Sequence, residues 1–298
     1  YTSGGVLDPT FGVGGYLIST FGSGSQANTV TMQTIGLDEK IVVAGSAVFN
    51  GVPEIVVVRY EPNGSPDPTF DGDGFARLQL GVRATAQGIS IDSVTNKIVI
   101  AGSAVINDIR QIALARYETN GSLDTSFDGI GYVVTPLGNN SVANDVIVQS
   151  DQKMVITGFA ETIGYVSRYT SSGSLDATFN GSGMVLVIEG NSTELTSLAL
   201  DPSSKIVATG VSDKKFITIR LTSGGGFDSS FDSDGIVVTE IGQSAFANSV
   251  QSLFDSSIIS AGYAEVDFAL AKYNSAGNLV SSFGNQGIVL NPTGFRSV

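Results

Sequence analysis

The chain contains no cysteine, no histidine and no tryptophan in its 298 residues. Without cysteine there are no disulfides and no thiolate chemistry. Without histidine the commonest general base and transition-metal ligand are missing, which excludes a Ser/His/Asp triad and deprives zinc of its usual donors. Charge is scarce too: charged residues make up 14% of the chain, and 15 Lys and Arg stand against 28 Asp and Glu, for a net charge of −13. No basic stripe is available to neutralise phosphates, so neither nucleic acid nor an anionic membrane surface is an expected partner. No apolar run reaches the ~18 residues of a membrane-spanning helix, so no transmembrane segment is expected. No signal peptide is visible, and the chain opens on repeat text at Tyr1, as a mature, processed protein would.

Repetition is what the chain has in quantity. The phrase around Phe11 (LDPTFGVGG) returns at Phe70 (PDPTFDGDG), Phe127 (LDTSFDGIG), Phe179 (LDATFNGSG) and Phe231 (FDSSFDSDG), and in weaker form at Phe283 (LVSSFGNQG). The spacings are 59, 57, 52, 52 and 52 residues. A period of that size marks a stack or ring of one supersecondary unit, so residues 1–298 read as a single domain of repeats.

Each unit divides into four short apolar runs bounded by Gly, Asn, Asp or Ser, which is the pattern of strands and tight turns. In the second unit they are Gly74–Leu80, Ala86–Asp92, Lys97–Ala104 and Gln111–Tyr117. None shows a helical period. The second run alternates (Val30 and Met32; Ile89 and Ile91; Val146 and Val148; Leu198 and Leu200). A small residue leads it in four units, at Ala27, Ala86, Ala143 and Ala247, which suits a strand crowded near an axis. The third run is almost wholly apolar, as in IVVAG from Ile41 and IVIAG from Ile98, and predicts a strand covered on both faces. Ile41, Val43, Ile98, Ile100, Met154, Ile156, Ile206 and the four central Phe residues are therefore the expected core. The Lys before that run (Lys40, Lys97, Lys153, Lys205) reads as a solvated turn charge. The cation that ends the fourth run (Arg59, Arg116, Arg168, Arg220, Lys272) falls in the same corner as the Asp eight residues later, so Arg59 with Asp67, or Arg116 with Asp124, is an expected structural pair.

Four strands in 52 to 59 residues describe one blade of an all-β propeller. Five copies of the second to fourth strands predict five four-stranded antiparallel blades. The short strand after the Phe phrase occurs six times, from Gly15–Thr20 to Gly287–Asn291. One terminal copy then completes the last blade, or the surplus begins an incomplete sixth.

The phrases LDPTFGVGG, KIVVAGSA and RYETNGSLDTSF resemble the bacterial delta-60 repeat family, and the likeness runs along essentially the whole chain. The last unit departs from it, with Val280 in place of the Asp and Ser257 in place of the Lys. The resemblance implies a β-propeller and an extracytoplasmic setting, secreted or at the cell surface. It carries no activity and no catalytic residues.

Two loops are unusually acidic. One holds Asp67, Asp71 and Asp73, the other Asp228, Asp232 and Asp234. Closely spaced Asp with a turn-forming Gly is loosely the chemistry of a Ca²⁺ loop, though the distal bidentate Glu of an EF-hand is missing. The competing reading is that these acids cap their own turns. No other cofactor is indicated. Carboxylate-pair catalysis remains open, because Asp and Glu are numerous, but no two are placed together. The longest loops, Ser46–Glu54 and Ser103–Gln111, carry Phe49, Ile106 and Ile109, which either meet a partner or pack on the blade edge. The expected function is a non-catalytic structural or protein-binding scaffold at the cell surface. The alternatives are a glycan-binding propeller and a carboxylate-dependent glycosidase or lyase.

Overall fold

A computed structural model describes residues 1–291. The described residues contain twenty strands and no helix, and the strands form five four-stranded sheets. The first sheet holds Ser25–Ile35 (β1), Asp38–Phe49 (β2), Val52–Tyr60 (β3) and Phe75–Leu78 (β4). The second holds Arg83–Ile91 (β5), Ile98–Ile106 (β6), Ile109–Tyr117 (β7) and Tyr132–Thr135 (β8). The third holds Ser141–Val148 (β9), Met154–Ala160 (β10), Ile163–Tyr169 (β11) and Met184–Val187 (β12). The fourth holds Thr193–Leu200 (β13), Ile206–Ser212 (β14), Lys215–Leu221 (β15) and Ile236–Thr239 (β16). The fifth holds Ala245–Ser252 (β17), Ile258–Ala264 (β18), Asp267–Tyr273 (β19) and Ile288–Asn291 (β20). Neighbours in chain order pair antiparallel, as short connections require.

The chain divides into two compact units, Tyr1–Met154 with Ser171–Gly173, and Val155–Thr170 with Ser174 onward. In the first unit, Val42, Ala44, Ile55 and Val57 of the first sheet share a core with Ile98, Ile100, Ala113 and Ala115 of the second, plugged by Phe70. In the second unit, Val207, Phe216 and Phe231 share a core with Ile258, Ala269, Ala271 and Tyr273. Phe70, Phe127, Phe179 and Phe231 are all fully buried, as expected.

The first strand of a sheet carries a β-bulge at one repeated position, seen between Ala27 and Thr29, Ala86 and Gly88, Leu195 and Ser197, and Ala247 and Ser249. The bulge presses a carbonyl against the second strand. A Cβ on Gly45 would stand 1.9 Å from the Gln26 carbonyl oxygen, and one on Gly102 would stand 1.9 Å from that of Thr85. Gly210 and Gly262 meet the same obstacle at Glu194 and Phe246. The Gly that ends IVVAG, IVIAG, IVATG and IISAG is there for this approach. The bulged residue is re-aimed toward the next sheet. Asn28 Nδ2 donates to the Ala86 carbonyl at 2.8 Å, and Thr196 Oγ1 to the Ala247 carbonyl at 2.7 Å.

One expectation about the core needs correction. Ile98, Ile100, Met154, Ile156 and Ile206 are buried, but Ile41 and Val43 are only half-buried. They lie on the face of the first sheet opposite the one that Val42 and Ala44 turn to the second sheet. Val30, on the same face, is 63% exposed, whereas Ile89, Val146, Leu198 and Val250 at the equivalent positions are 8% exposed or less. The surplus strand follows the first of the two readings, in which one terminal copy completes the last blade. The C-terminal copy, β20, completes the last sheet beside β19, while Gly15–Thr20 joins no sheet and only Tyr16 forms a bridge, to Gly12.

Candidate functional site

The repeated chemistry converges on one corner of each repeat. Asp67 Oδ1 accepts from the Thr69 amide at 3.0 Å and the Thr69 hydroxyl at 2.7 Å, which closes an Asx turn. Its Oδ2 lies 2.7 Å from Arg59 Nε. The other repeats reproduce this at Arg116–Asp124, Arg168–Asp176 and Arg220–Asp228, at 2.5, 2.7 and 2.6 Å. The guanidinium lies over the ring of the phrase's Phe, 4.9 Å from Phe70, 4.8 Å from Phe127 and 4.7 Å from both Phe179 and Phe231. Its far end reaches the following repeat. Arg116 Nη1 donates to the Ser171 carbonyl at 2.6 Å, and Arg168 Nη1 to that of Ser223 at 2.6 Å. The expected Arg–Asp pair is thus present, and it also ties one repeat to the next.

The turn lysines Lys40, Lys97 and Lys205 are paired with acids. Lys97 Nζ sits 2.9 Å from Asp124 and 2.9 Å from Glu118, Lys205 Nζ sits 2.7 Å from Asp228, and Lys40 Nζ sits 2.6 Å from Glu61. For these three the reading as free turn charges is corrected: Lys97 and Lys205 approach the carboxylate that the Arg already holds, and Lys40 pairs with Glu61, whereas Lys153 lies 3.6 Å from the exposed Asp151. Burial works to raise the Asp124 carboxyl, but hydrogen bonds from Ser126, Lys97 and Arg116 outweigh it and hold the group below the usual carboxylate range. Asp228 is held down the same way against its own burial, by Lys205, Ser230 and Arg220. In the last repeat Val280 replaces the Asp and Ser257 the first cation, while the half-buried Lys272 keeps a positive charge at the Arg position, 6.0 Å over the Phe283 ring.

The two acidic loops are split by this corner. Asp67 and Asp228 face inward onto Arg59 and Arg220. Asp71, Asp73, Asp232 and Asp234 are exposed. Asp71 and Asp232 have φ of 52° and 48°, as do Asp128 and Asn180 at 52° and 50°. Asp and Asn tolerate that left-handed backbone better than other non-glycine residues do. Asp73 Oδ1 accepts the Phe75 amide at 3.1 Å, and Asp234 Oδ1 the Ile236 amide at 2.9 Å. Partial desolvation, and then the charge of Asp73, push the Asp71 carboxyl up. No group of three Asp, Glu, His or Cys placed to hold a metal occurs among the described residues.

The loop apolars pack on their own sheets. Phe49 carries the Arg77 guanidinium 3.6 Å above its ring, and Ile106 packs on the first unit's core. Beside them the first unit opens a polar cleft of about 600 Å³, lined by Gln26, Asn28, Arg83, Thr85, Gln87 and Arg110. Arg83 is exposed, and Arg110 Nε donates to Ser103 Oγ at 3.1 Å. Neither was singled out by sequence reasoning. The available signal was that both stand outside the recurring cation positions, in a chain with few cations.

Five sheets of four antiparallel strands, repeated with one corner chemistry, define a β-propeller. The chain matches the family described as "Domain of unknown function (DUF5122) beta-propeller" over residues 37–70, 95–127 and 149–179. The match supports a β-propeller repeat family; the finer delta-60 assignment goes beyond it. No curated protein matches the chain. Among solved structures, it is similar to a protein from Lactobacillus plantarum, at 12% identity and a TM-score of 0.52, covering 90% of this chain and 70% of that one. It is also similar to the NanB sialidase of Streptococcus pneumoniae, at 9% identity and a TM-score of 0.51, covering 89% and 62%. The Dos1 propeller aligns at 9% identity and a TM-score of 0.46, over 79% of this chain and 52% of that one. The chain thus spans about half of that last protein's length. At these identities the likeness is one of fold.

Proposed function

We propose that this chain is a non-catalytic β-propeller scaffold, secreted or displayed at the cell surface, that binds a partner protein bearing acidic side chains. The observation that carries the reading is the fate of the repeated polar residues. Every phrase Asp from Asp67 to Asp228 is tied to its own Arg, so the recurrent carboxylates serve the framework. A feature repeated in each sheet is scaffold, and binding is left to positions that break the repeat. The cleft around Arg83 and Arg110 is such a break. Guanidinium groups favour carboxylates through charge-assisted, bidentate hydrogen bonds, and two of them in a chain of net charge −13 single out an anionic partner. The extracytoplasmic setting is supported by the repeat phrase. The acidic surface argues against nucleic acid as the partner.

Calorimetry with an oligo-glutamate peptide and with a uronic-acid oligosaccharide tests the reading. Peptide binding that falls at least about tenfold in Arg83→Glu is the expected result. Preference for the oligosaccharide favours the glycan-binding alternative. Cleavage of the oligosaccharide overturns the non-catalytic reading, and binding of neither probe overturns the cleft.

A further inference from the structure

Asn is followed by Gly at four places in the chain, at Asn50, Asn63, Asn120 and Asn180. Such a pair is open to self-modification, because asparagine is thermolabile and glycine has no side chain to shield its own amide. The reaction requires the glycine amide nitrogen to swing onto the side-chain Cγ of the asparagine. What holds the peptide between the two residues therefore decides its rate, and the four pairs are held differently.

Asn63 and Asn120 are tied on every side. The Asn63 carbonyl accepts from the Gly12 amide at 2.8 Å, and the Gly64 amide donates to the Glu61 carbonyl at 2.8 Å. The Asn120 carbonyl accepts from the Asp71 amide at 2.7 Å, and the Gly121 amide donates to the Glu118 carbonyl at 3.0 Å. Both glycines are buried. The side chains are spent as well. Asn63 Oδ1 accepts from the Ser65 amide at 2.9 Å and its hydroxyl at 2.8 Å, and Asn120 Oδ1 from those of Ser122 at 3.1 and 2.8 Å. Asn180 is held less. Its Gly181 is exposed, but Asn180 Nδ2 donates to the Met184 carbonyl at 3.0 Å and ties the carboxamide down.

Asn50 and Gly51 form the loop between β2 and β3, closed by the pairing of Phe49 with Val52, with φ of 51° and 80°. Both are exposed, and nothing lies within 4 Å of the place a Cβ on Gly51 would take. Among the described residues, no hydrogen bond holds the Asn50 side chain or the Gly51 amide.

We infer that Asn50 is the residue at which this protein deamidates. The Gly51 amide nitrogen gives its proton to solvent base and attacks Asn50 Cγ. The bond from Cγ to Nδ2 breaks, the side-chain nitrogen takes a proton from water and leaves as ammonia, and a cyclic imide closes. Water then opens the imide. Cleavage at Cγ gives Asp, and cleavage at the main-chain carbonyl gives isoaspartate, with the chain routed through the former side chain. Either product places a carboxylate in the loop. Val48 and Pro53 pair next to the closing pair and line the polar cleft, so the charge arrives at the edge of the cleft that holds Arg83 and Arg110. Isoaspartate also adds a main-chain carbon to a loop whose register admits two residues, which strains its closure at Phe49 and Val52.

Peptide mapping by mass spectrometry tests the inference. The full chain is aged in warm, mildly alkaline buffer made with heavy-oxygen water, so that each conversion during ageing carries one labelled oxygen. In the folded protein Asn50 is expected to convert first and Asn180 next. Asn63 and Asn120 should be at least about tenfold slower than Asn50, because the two hydrogen bonds on each peptide must open beforehand. In the urea-unfolded chain the four rates should draw together, since the fold is what separates them. Asn50→Gln should abolish the first conversion and leave the other three rates unchanged. Equal rates at the four pairs of the folded protein, or any of the other three converting before Asn50, overturn the inference. A ranking that survives intact in urea overturns it too, because neighbouring sequence and not the held peptides would then be the cause.

Discussion

Arg116 and Asp124 face each other across 2.5 Å in the corner of the second repeat, and the same guanidinium lies 4.8 Å above Phe127. One side chain therefore neutralises a buried acid, covers a buried ring and, through Nη1, bonds the Ser171 carbonyl of the following repeat. Removing it leaves Asp124 buried beside Lys97 alone. Arg116→Met is expected to cost on the order of 3–5 kcal/mol in urea unfolding. The double variant Arg116→Met/Asp124→Leu is expected to lose less than Arg116→Met does, because no buried charge is then left behind. Equal losses would show that the guanidinium acts only through its contact with the ring.

Phe127 and Phe283 occupy the same place in two repeats but differ in cover. Phe127 is fully buried, and Gly173 packs on its ring, whereas Phe283 is half-buried in the last repeat. Phe127→Ala is expected to destabilise by about 3–5 kcal/mol. Phe283→Ala is expected to cost less than half as much in the isolated chain. Comparable losses would mean that the last repeat is covered in solution.

Gly102 has a φ that any residue adopts, so its replacement tests space alone. Gly102→Ala places a methyl 1.9 Å from the Thr85 carbonyl oxygen and forces the bulged strand away. A loss of at least about 1–3 kcal/mol is expected in thermal or urea unfolding. Gly129 has open space around its Cβ position but a φ of 76°, so Gly129→Ala tests backbone strain instead, with a smaller expected loss.

Acid should unfold the protein through the corner carboxylates. Asp124 and Asp228 are held below the ordinary carboxylate range in the folded chain, and they return to about 3.9 when it unfolds. A depressed folded value contributes stability that is complete above the unfolded value and is lost as pH falls through the folded one. The urea midpoint is therefore expected to hold between about pH 7 and pH 5 and to fall steadily below about pH 4. Asp124→Asn should start lower at pH 7 and fall less steeply. A midpoint that rises on acidification would contradict the assignment.

Calcium is expected to leave the melting temperature unchanged. Asp67 is committed to Arg59, Asp73 caps the Phe75 amide, and Asp71 occupies a left-handed turn position. Scanning calorimetry in excess Ca²⁺ and in EDTA, at matched ionic strength, checks this. A rise in Ca²⁺ that disappears in Asp73→Asn would establish a metal site at this loop.

Much of the fold was legible in the residues alone, for local reasons. The Phe phrase returns at a fixed interval, and its Asp, hydroxyl residue and Gly form a turn whose geometry depends only on near neighbours. Unbroken apolar runs such as IVIAG imply a strand with two covered faces, and β6 is buried along most of its length. The Arg–Asp pairing followed from an eight-residue separation across a tight turn. What neighbouring strands and repeats impose was not legible. The Gly of IVIAG appeared as one more small residue until the Thr85 carbonyl was found against it. Lys97 appeared solvated because the carboxylate it meets lies 27 residues away. Ile41 and Ile98 stand in nearly identical phrases, yet one is half-buried and the other fully buried. Sequence determines which faces are apolar, because that depends on strand period alone. Only tertiary structure decides which of those faces is covered, because covering one requires a second sheet, and nothing in the strand itself records whether that sheet is there.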